Sequence, residues 1–153
     1  MSDKLLFWSM GDEAFRFLSN YHRSNFRLFV DSVDYGVVWP TVEHYYQASK
    51  AVNSEEMIWI ASSPTPKEAK HRGYKCKPRS DWDDVKDVVM HGALEAKFKQ
   101  NEELLNMLLL TDGFELVHFA PWGDTYWGVD KTYNGQNKLG VMLMELRHKL
   151  GGK

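Results

Sequence analysis

Trp39-Pro40-Thr41-Val42-Glu43-His44-Tyr45-Tyr46-Gln47-Ala48-Ser49-Lys50 marks the start of a helix and loads one side of it with polar groups. Pro40 cannot continue a helix backwards, and the Thr41 hydroxyl can accept from the free amides of a first turn. From there Glu43, Gln47 and Lys50 are spaced by four and three. At about 100° per residue they share one stripe, with Glu43 and Lys50 roughly 10 Å apart along the axis. An acid, an amide and an amine among aromatic neighbours is a set that a small reactive site uses. The same spacing has a plainer reading too: an acid in the first turn suits the helix dipole, and a lysine two turns on is ordinary surface chemistry.

Working outward, residues 26–30 and 35–39 are rich in aromatic and β-branched side chains, and Asp31-Ser32-Val33-Asp34 between them predicts a hairpin with a four-residue connection. Downstream, Ser54 is expected to cap a short helix through Ile60, closed by Ser62-Ser63-Pro64. Thr65-Pro66 reads as a cap followed by proline at the first helical position, with Gly73 as the stop. Ser80-Asp81-Trp82-Asp83 is a serine-x-x-acid start signal. Behind it Trp82, Val85, Val89, Ala93 and Ala96 recur at three and four, as a long amphipathic helix requires. Leu104, Leu105, Leu108 and Leu109 predict another helix, stopped by Thr111-Asp112-Gly113. Phe114, Leu116 and His118 alternate briefly as a strand does. Residues 120–136 are aromatic, glycine-bearing and irregular, and Leu139, Met142, Leu143, Leu146 and Leu150 carry a final helix. The expected fold is α+β, predominantly helical, with a few short strands in a single domain over residues 1–153.

With 153 residues the chain is one domain by size and long enough for a core. No apolar run approaches the roughly 20 residues of a membrane span, and Met1-Ser2-Asp3-Lys4 has no apolar stretch with a small-residue cleavage site behind it, so a secretory leader is not expected. The lone Cys76 excludes an internal disulfide and disfavours a cysteine metal site. A cytoplasmic protein is expected. A net charge of −2 argues against coating nucleic acid by charge alone. Charge is uneven, however: Lys67, Lys70, Arg72, Lys75, Lys77 and Arg79 stand close together against the acid Glu68, a cluster that suits phosphates or a solvated face equally. Six scattered histidines include no i, i+4 pair of the zinc-site kind, so no metal is expected. No serine sits in a nucleophile elbow. The glycines of residues 128–140 lead into the last helix, whose free amides suit an anion or simply close a tight loop.

Several of these pieces together resemble the NADAR (YbiA-like) family. They are Phe17-Leu18-Ser19-Asn20-Tyr21; Trp39-Pro40-Thr41-x-Glu43-His44-Tyr45-Tyr46-Gln47-Ala48-x-Lys50; Trp82 with Val85-Lys86 and Met90; and Lys97-Phe98-x-Gln100-Asn101. Leu108-Leu109-Leu110-Thr111, Asp124-x-Tyr126-Trp127-Gly128 and Gly135-x-Asn137-x-Leu139-Gly140, with Leu143-Met144-x-x-Arg147, complete the match, which covers nearly the whole chain. The resemblance implies N-glycosidase activity without a cofactor or metal. Its substrates would be ADP-ribosylated guanine in nucleic acid, or the ribosyl-phosphate intermediates of riboflavin synthesis; a non-catalytic ADP-ribose or NAD module is the third alternative. It also implies catalytic roles for Glu43, Lys50 and Asp124. Glu43 would stabilise the positively charged ribose, and Lys50 would form a Schiff base, hold Glu43 ionised or grip phosphate. Substrate contacts would fall to Asn20, Trp39, His44, Gln47, Trp82, Tyr126, Trp127, Gly128 and Asn137. Asp124 and Asn137 would address sugar hydroxyls or water, Gly128 and Gly135 would allow close backbone approach, and Arg72, Lys75 and Arg79 would contact phosphate. The chain departs from many bacterial members in carrying Val129 after the tryptophan-glycine pair, with Asp130 one step later.

Overall fold

The computed structural model describes residues 3–151; the opening Met1-Ser2 read above for a leader lies outside them. The chain is α+β and mostly helical, with a parallel pair of short strands, and its elements group into two compact units. One unit holds the chain up to His22 and from Glu103 onward; the other is Arg23–Glu102.

In the Arg23–Glu102 unit, α1 (Val42–Ser49) packs against α2 (Ser54–Ala61), α3 (Pro66–Lys75) and α4 (Trp82–Lys99). All eight residues of α1 are buried, so this helix has no solvent face and its polar side chains must find partners inside. Thr41 caps it as expected, its hydroxyl accepting from the His44 amide at 3.1 Å. The predicted hairpin exists only as two isolated antiparallel bridges, Phe26–Trp39 and Val30–Val33. Its turn is tighter than the four-residue connection expected. Asp31 and Ser32, with φ of 49° and 66°, form a two-residue turn of the kind that matches strand twist.

Three helix boundaries shift. Asn53, not Ser54, caps α2, its side chain accepting from the Glu56 amide. Thr65 and Pro66 open α3 as read, but Gly73 lies inside that helix rather than ending it. A side chain there would collide with the Gln47 amide, so glycine serves the approach of α3 to α1. The cap of α4 is Asp81 rather than Ser80, and it makes no side-chain capping bond, because its carboxylate is paired with Arg79.

In the other unit, β1 (Lys4–Phe7) runs parallel to β2 (Glu115–His118), with Leu5 opposite Leu116 and Phe7 opposite His118. A 3₁₀ helix covers Glu13–Leu18, α5 spans Glu102–Leu109, and α6 (Lys138–Leu150) lies on β2 with Leu139, Leu143 and Leu146 buried. Among the described residues no helix is long and apolar enough to cross a membrane.

Candidate active site

The polar stripe of α1 is internal. Glu43 is 7% exposed and Gln47 2%. The Gln47 amide donates to Glu43 Oε1 at 2.8 Å, one turn away, while Gln47 Oε1 is buried without a partner against Gly73. One edge of the carboxylate is thereby fixed by a side chain that is itself wedged between two helices. A buried charge needs such bonds to remain ionised.

Lys50 follows α1 directly and is half-buried. Its ammonium sits 5.5 Å from the Tyr46 ring centre, 5.2 Å from Tyr74 and 5.9 Å from Trp82. Tyr46 and Trp82 meet edge to face at 5.0 Å. Ring faces attract a cation by about 0.5–2 kcal/mol, depending on desolvation. Burial nonetheless lowers the pKa of this amine, against the opposing pull of Glu43, and the positive charges of Lys70 and Lys86 lower it further. The result is a carboxylate and an amine of reduced basicity on one short helix, beside the flat face of Trp82.

Other residues drawn from the stripe have structural work. His44 is 1% exposed, with Nδ1 2.8 Å from Thr41 Oγ1 and Nε2 2.9 Å from the Ser63 carbonyl. A nitrogen facing a carbonyl must carry the hydrogen, so Nε2 donates to Ser63, and in the neutral ring Nδ1 accepts from the threonine hydroxyl. Burial lowers its pKa accordingly, opposed by the Ser63 bond and aided by Arg23. Trp39 is also closed off, its indole donating to the Leu28 carbonyl and its ring edge-on to Tyr45. Both His44 and Trp39, expected to touch substrate, are closed off from solvent here and brace α1.

The expected phosphate contacts also divide. Arg72 donates to the Trp59 carbonyl at 2.7 Å, pairs with Glu68 and stacks near the Trp59 ring. Arg79 forks between Asp31 and Asp81, which raises its pKa and ties the hairpin turn to the start of α4. Both guanidinium groups thus link elements of the fold. Lys75 stands exposed at the end of α3. Tyr74 escaped the sequence reading, and Lys70 and Lys86 entered it only within the basic cluster and the family motif, without a role of their own. Their signal was a lysine four residues from an aromatic on each of two helices.

The remaining residues lie in the other unit. Asn20 follows the 3₁₀ helix, half-buried. Asp124 Oδ1 accepts from the amides of Tyr126 and Trp127, both at 3.0 Å, and so shapes its own turn. Tyr126 meets Trp127 edge to face and carries the Lys138 ammonium at 4.7 Å. Asn137, at φ 51°, accepts from the His118 amide and donates to the Leu116 carbonyl, standing in for a strand beside β2. Both atoms of its amide are engaged within the fold, and Oδ1 of Asp124 holds its own turn. Gly128 does permit close backbone approach, but to the His118 carbonyl of its own unit. Among the described residues no group of three or more His, Cys, Asp or Glu is placed to hold a metal ion.

Comparison with known proteins agrees on the family. The sequence profile of the NADAR domain matches residues 6–151. N-glycosidase YbiA of Escherichia coli (strain K12) is 39% identical over 153 residues, covering 98% of this chain and 91% of that protein. A Zea mays protein named Riboflavin biosynthesis protein PYRR, chloroplastic, is 35% identical over 152 residues, covering 92% of this chain and 24% of that protein. The NMR structure of the E. coli protein YbiA matches with a TM-score of 0.83 at 35% identity, over 99% of this chain and 87% of that one.

Proposed function

Because this chain belongs to the NADAR domain family, we propose that it is an N-glycosidase that breaks the bond between a ribose and the nitrogen of a guanine-type base. The observation carrying this reading is the buried Glu43 carboxylate, held by Gln47 and followed by the caged amine of Lys50. As the ring carbon–oxygen bond breaks, positive charge grows on the anomeric carbon and on the base nitrogen still bonded to it. A fixed carboxylate at about 4 Å, at an effective dielectric near 20, contributes about 4 kcal/mol, or roughly a thousandfold in rate. Because Gln47 fixes its orientation beforehand, little reorganisation is needed in the transition state. Trp82 supplies a flat face for the base, a contact worth about 1–3 kcal/mol.

Lys50 acts as the covalent partner. When the sugar ring opens, C1 is an imine of the departing base. The neutral amine adds to C1, the base nitrogen takes a proton and leaves, and a lysine imine remains. Water then adds to that imine and releases the sugar as an aldehyde, which recloses. The depressed basicity of Lys50 favours this chemistry, because only the unprotonated amine attacks.

The preferred substrate is ADP-ribosylated guanine in nucleic acid. A second reading, hydrolysis of phosphorylated riboflavin intermediates, is favoured by the name of the maize relative. Incubating the protein separately with ADP-ribosylated guanine DNA and with the ribosylamino-pyrimidine phosphate, then measuring released sugar by mass spectrometry, tests both. Sugar release from the DNA supports the first reading and release only from the pyrimidine supports the second. Release from neither refutes the glycosidase proposal.

A further inference from the structure

Three packed helices repeat one device: an aromatic ring and a lysine four residues apart. Tyr46 and Lys50 come from α1 and its cap, Lys70 and Tyr74 from α3, and Trp82 and Lys86 from α4. Residues at i and i+4 share a helix face. The three faces converge, because the Lys50 ammonium lies within 5.9 Å of all three ring centres. Lys70 lies 5.9 Å from the Tyr74 ring that Lys50 also faces. Lys86 is close enough for its charge to act on Lys50, as does that of Lys70. Glu43 acts on Lys50, and the exposed Asp83 pairs with Lys86 at 3.2 Å. Lys50 and Lys70 share the Tyr74 ring, and Lys86, on the helix face of Trp82, adds a third positive charge that acts on Lys50; such charges repel one another, and an anion among them relieves that repulsion. The neighbouring Arg72 and Arg79 are bound within the fold.

We propose that Lys70 and Lys86 form the phosphate subsite of this active centre, holding a phosphate or diphosphate group beside Lys50, with Tyr74 as its wall. The assignment rests on the N-glycosidase reading for its place in catalysis, and on the lysine geometry alone for its ligand class. A phosphate held there keeps the attached ribose close to the Lys50 amine and the Glu43 carboxylate. It makes the two lysines specificity-determining: a substrate lacking the phosphate loses them as anchors.

The probe is inorganic pyrophosphate, titrated calorimetrically into the wild-type chain and into Lys70→Gln, Lys86→Gln, Lys70→Arg and Lys77→Gln, each with a thermal melt. A charge-assisted bond is worth about 1.5–3 kcal/mol, so each glutamine variant at 70 and 86 should bind roughly tenfold or more weakly. Lys70→Arg should retain binding, and the exposed Lys77→Gln should match wild type. Absence of pyrophosphate binding by wild type, or unchanged binding by both Lys70→Gln and Lys86→Gln, overturns the subsite. Lysine-dependent binding in a protein that cleaves neither substrate upholds the subsite and removes the glycosidase reading. Cleavage with lysine-independent pyrophosphate binding does the reverse.

Discussion

Replacing Lys97 with methionine removes an amine buried completely near the end of α4, where its nitrogen lies 5.1 Å from the Phe98 ring centre. Burial lowers its pKa from 10.5 to about 7. The sign follows from proton counting. Between pH 7 and 10.5 the unfolded chain carries a proton at Lys97 that the folded protein lacks, so raising the pH stabilises the fold. Below pH 7 both states are protonated and this gain is absent. Integrating over that interval, wild type should gain about 2 kcal/mol between pH 7 and 9 from this group alone. Lys97→Met, which keeps the length and bulk of the side chain, should lack that gain and be the more stable protein at pH 6.5. Urea unfolding followed by far-ultraviolet circular dichroism at pH 6.5, 7, 8 and 9 measures the difference, with equal m-values as the check that both unfold alike. Stability curves that run parallel for the two proteins across this range would refute the reasoning.

Gly73→Ala should push the Gln47 amide off Glu43 and lower kcat by roughly tenfold, the equivalent of one lost hydrogen bond, with a second loss in melting temperature; steady-state kinetics reads the first. Asn137→Ala should cost about 2–4 kcal/mol in unfolding free energy, since it leaves the Leu116 carbonyl and the His118 amide of β2 without their partner; a variant as stable as wild type would remove the strand-mimic role. Borohydride added during turnover should trap a sugar adduct on Lys50, seen as a mass increase on the peptide containing it, and capture should increase as pH rises through the lowered pKa of that amine. Full activity in Lys50→Arg with no adduct in wild type would end the covalent step.

The readable parts of the chain were those in which local chemistry and burial agree. Thr41 capped α1, Thr65-Pro66 opened α3, and Leu139, Leu143 and Leu146 faced inward on α6, because each is settled within a few residues. The β1–β2 pair was half legible. Alternation at Leu116 and His118 announced β2, but Lys4-Leu5-Leu6-Phe7 is only one four-residue run, and its partner Glu115 lies far along the chain. Gly73 was misread as a stop because its reason is the Gln47 side chain of another helix, and no local pattern encodes that approach. The family resemblance marked Asn137 as a substrate contact, and nothing local in the sequence shows that its amide bonds the backbone of β2. His44 and Trp39 belong to a motif whose conspicuous polar and aromatic character partly reflects a helix buried on every side. Glu43 and Lys50 could be singled out by spacing, but the cage around the amine needed α3 and α4 to be brought together.

The account stands on the negative charge of Glu43, and Glu43→Gln removes that charge while keeping the shape and the bond-forming edge. Single-turnover cleavage by this variant at saturating substrate, beside a melt showing it folded, is the most direct measurement. The predicted result is a rate lower by roughly a thousandfold, with substrate affinity little changed. A folded Glu43→Gln protein that cleaves within a few-fold of the wild-type rate would contradict it.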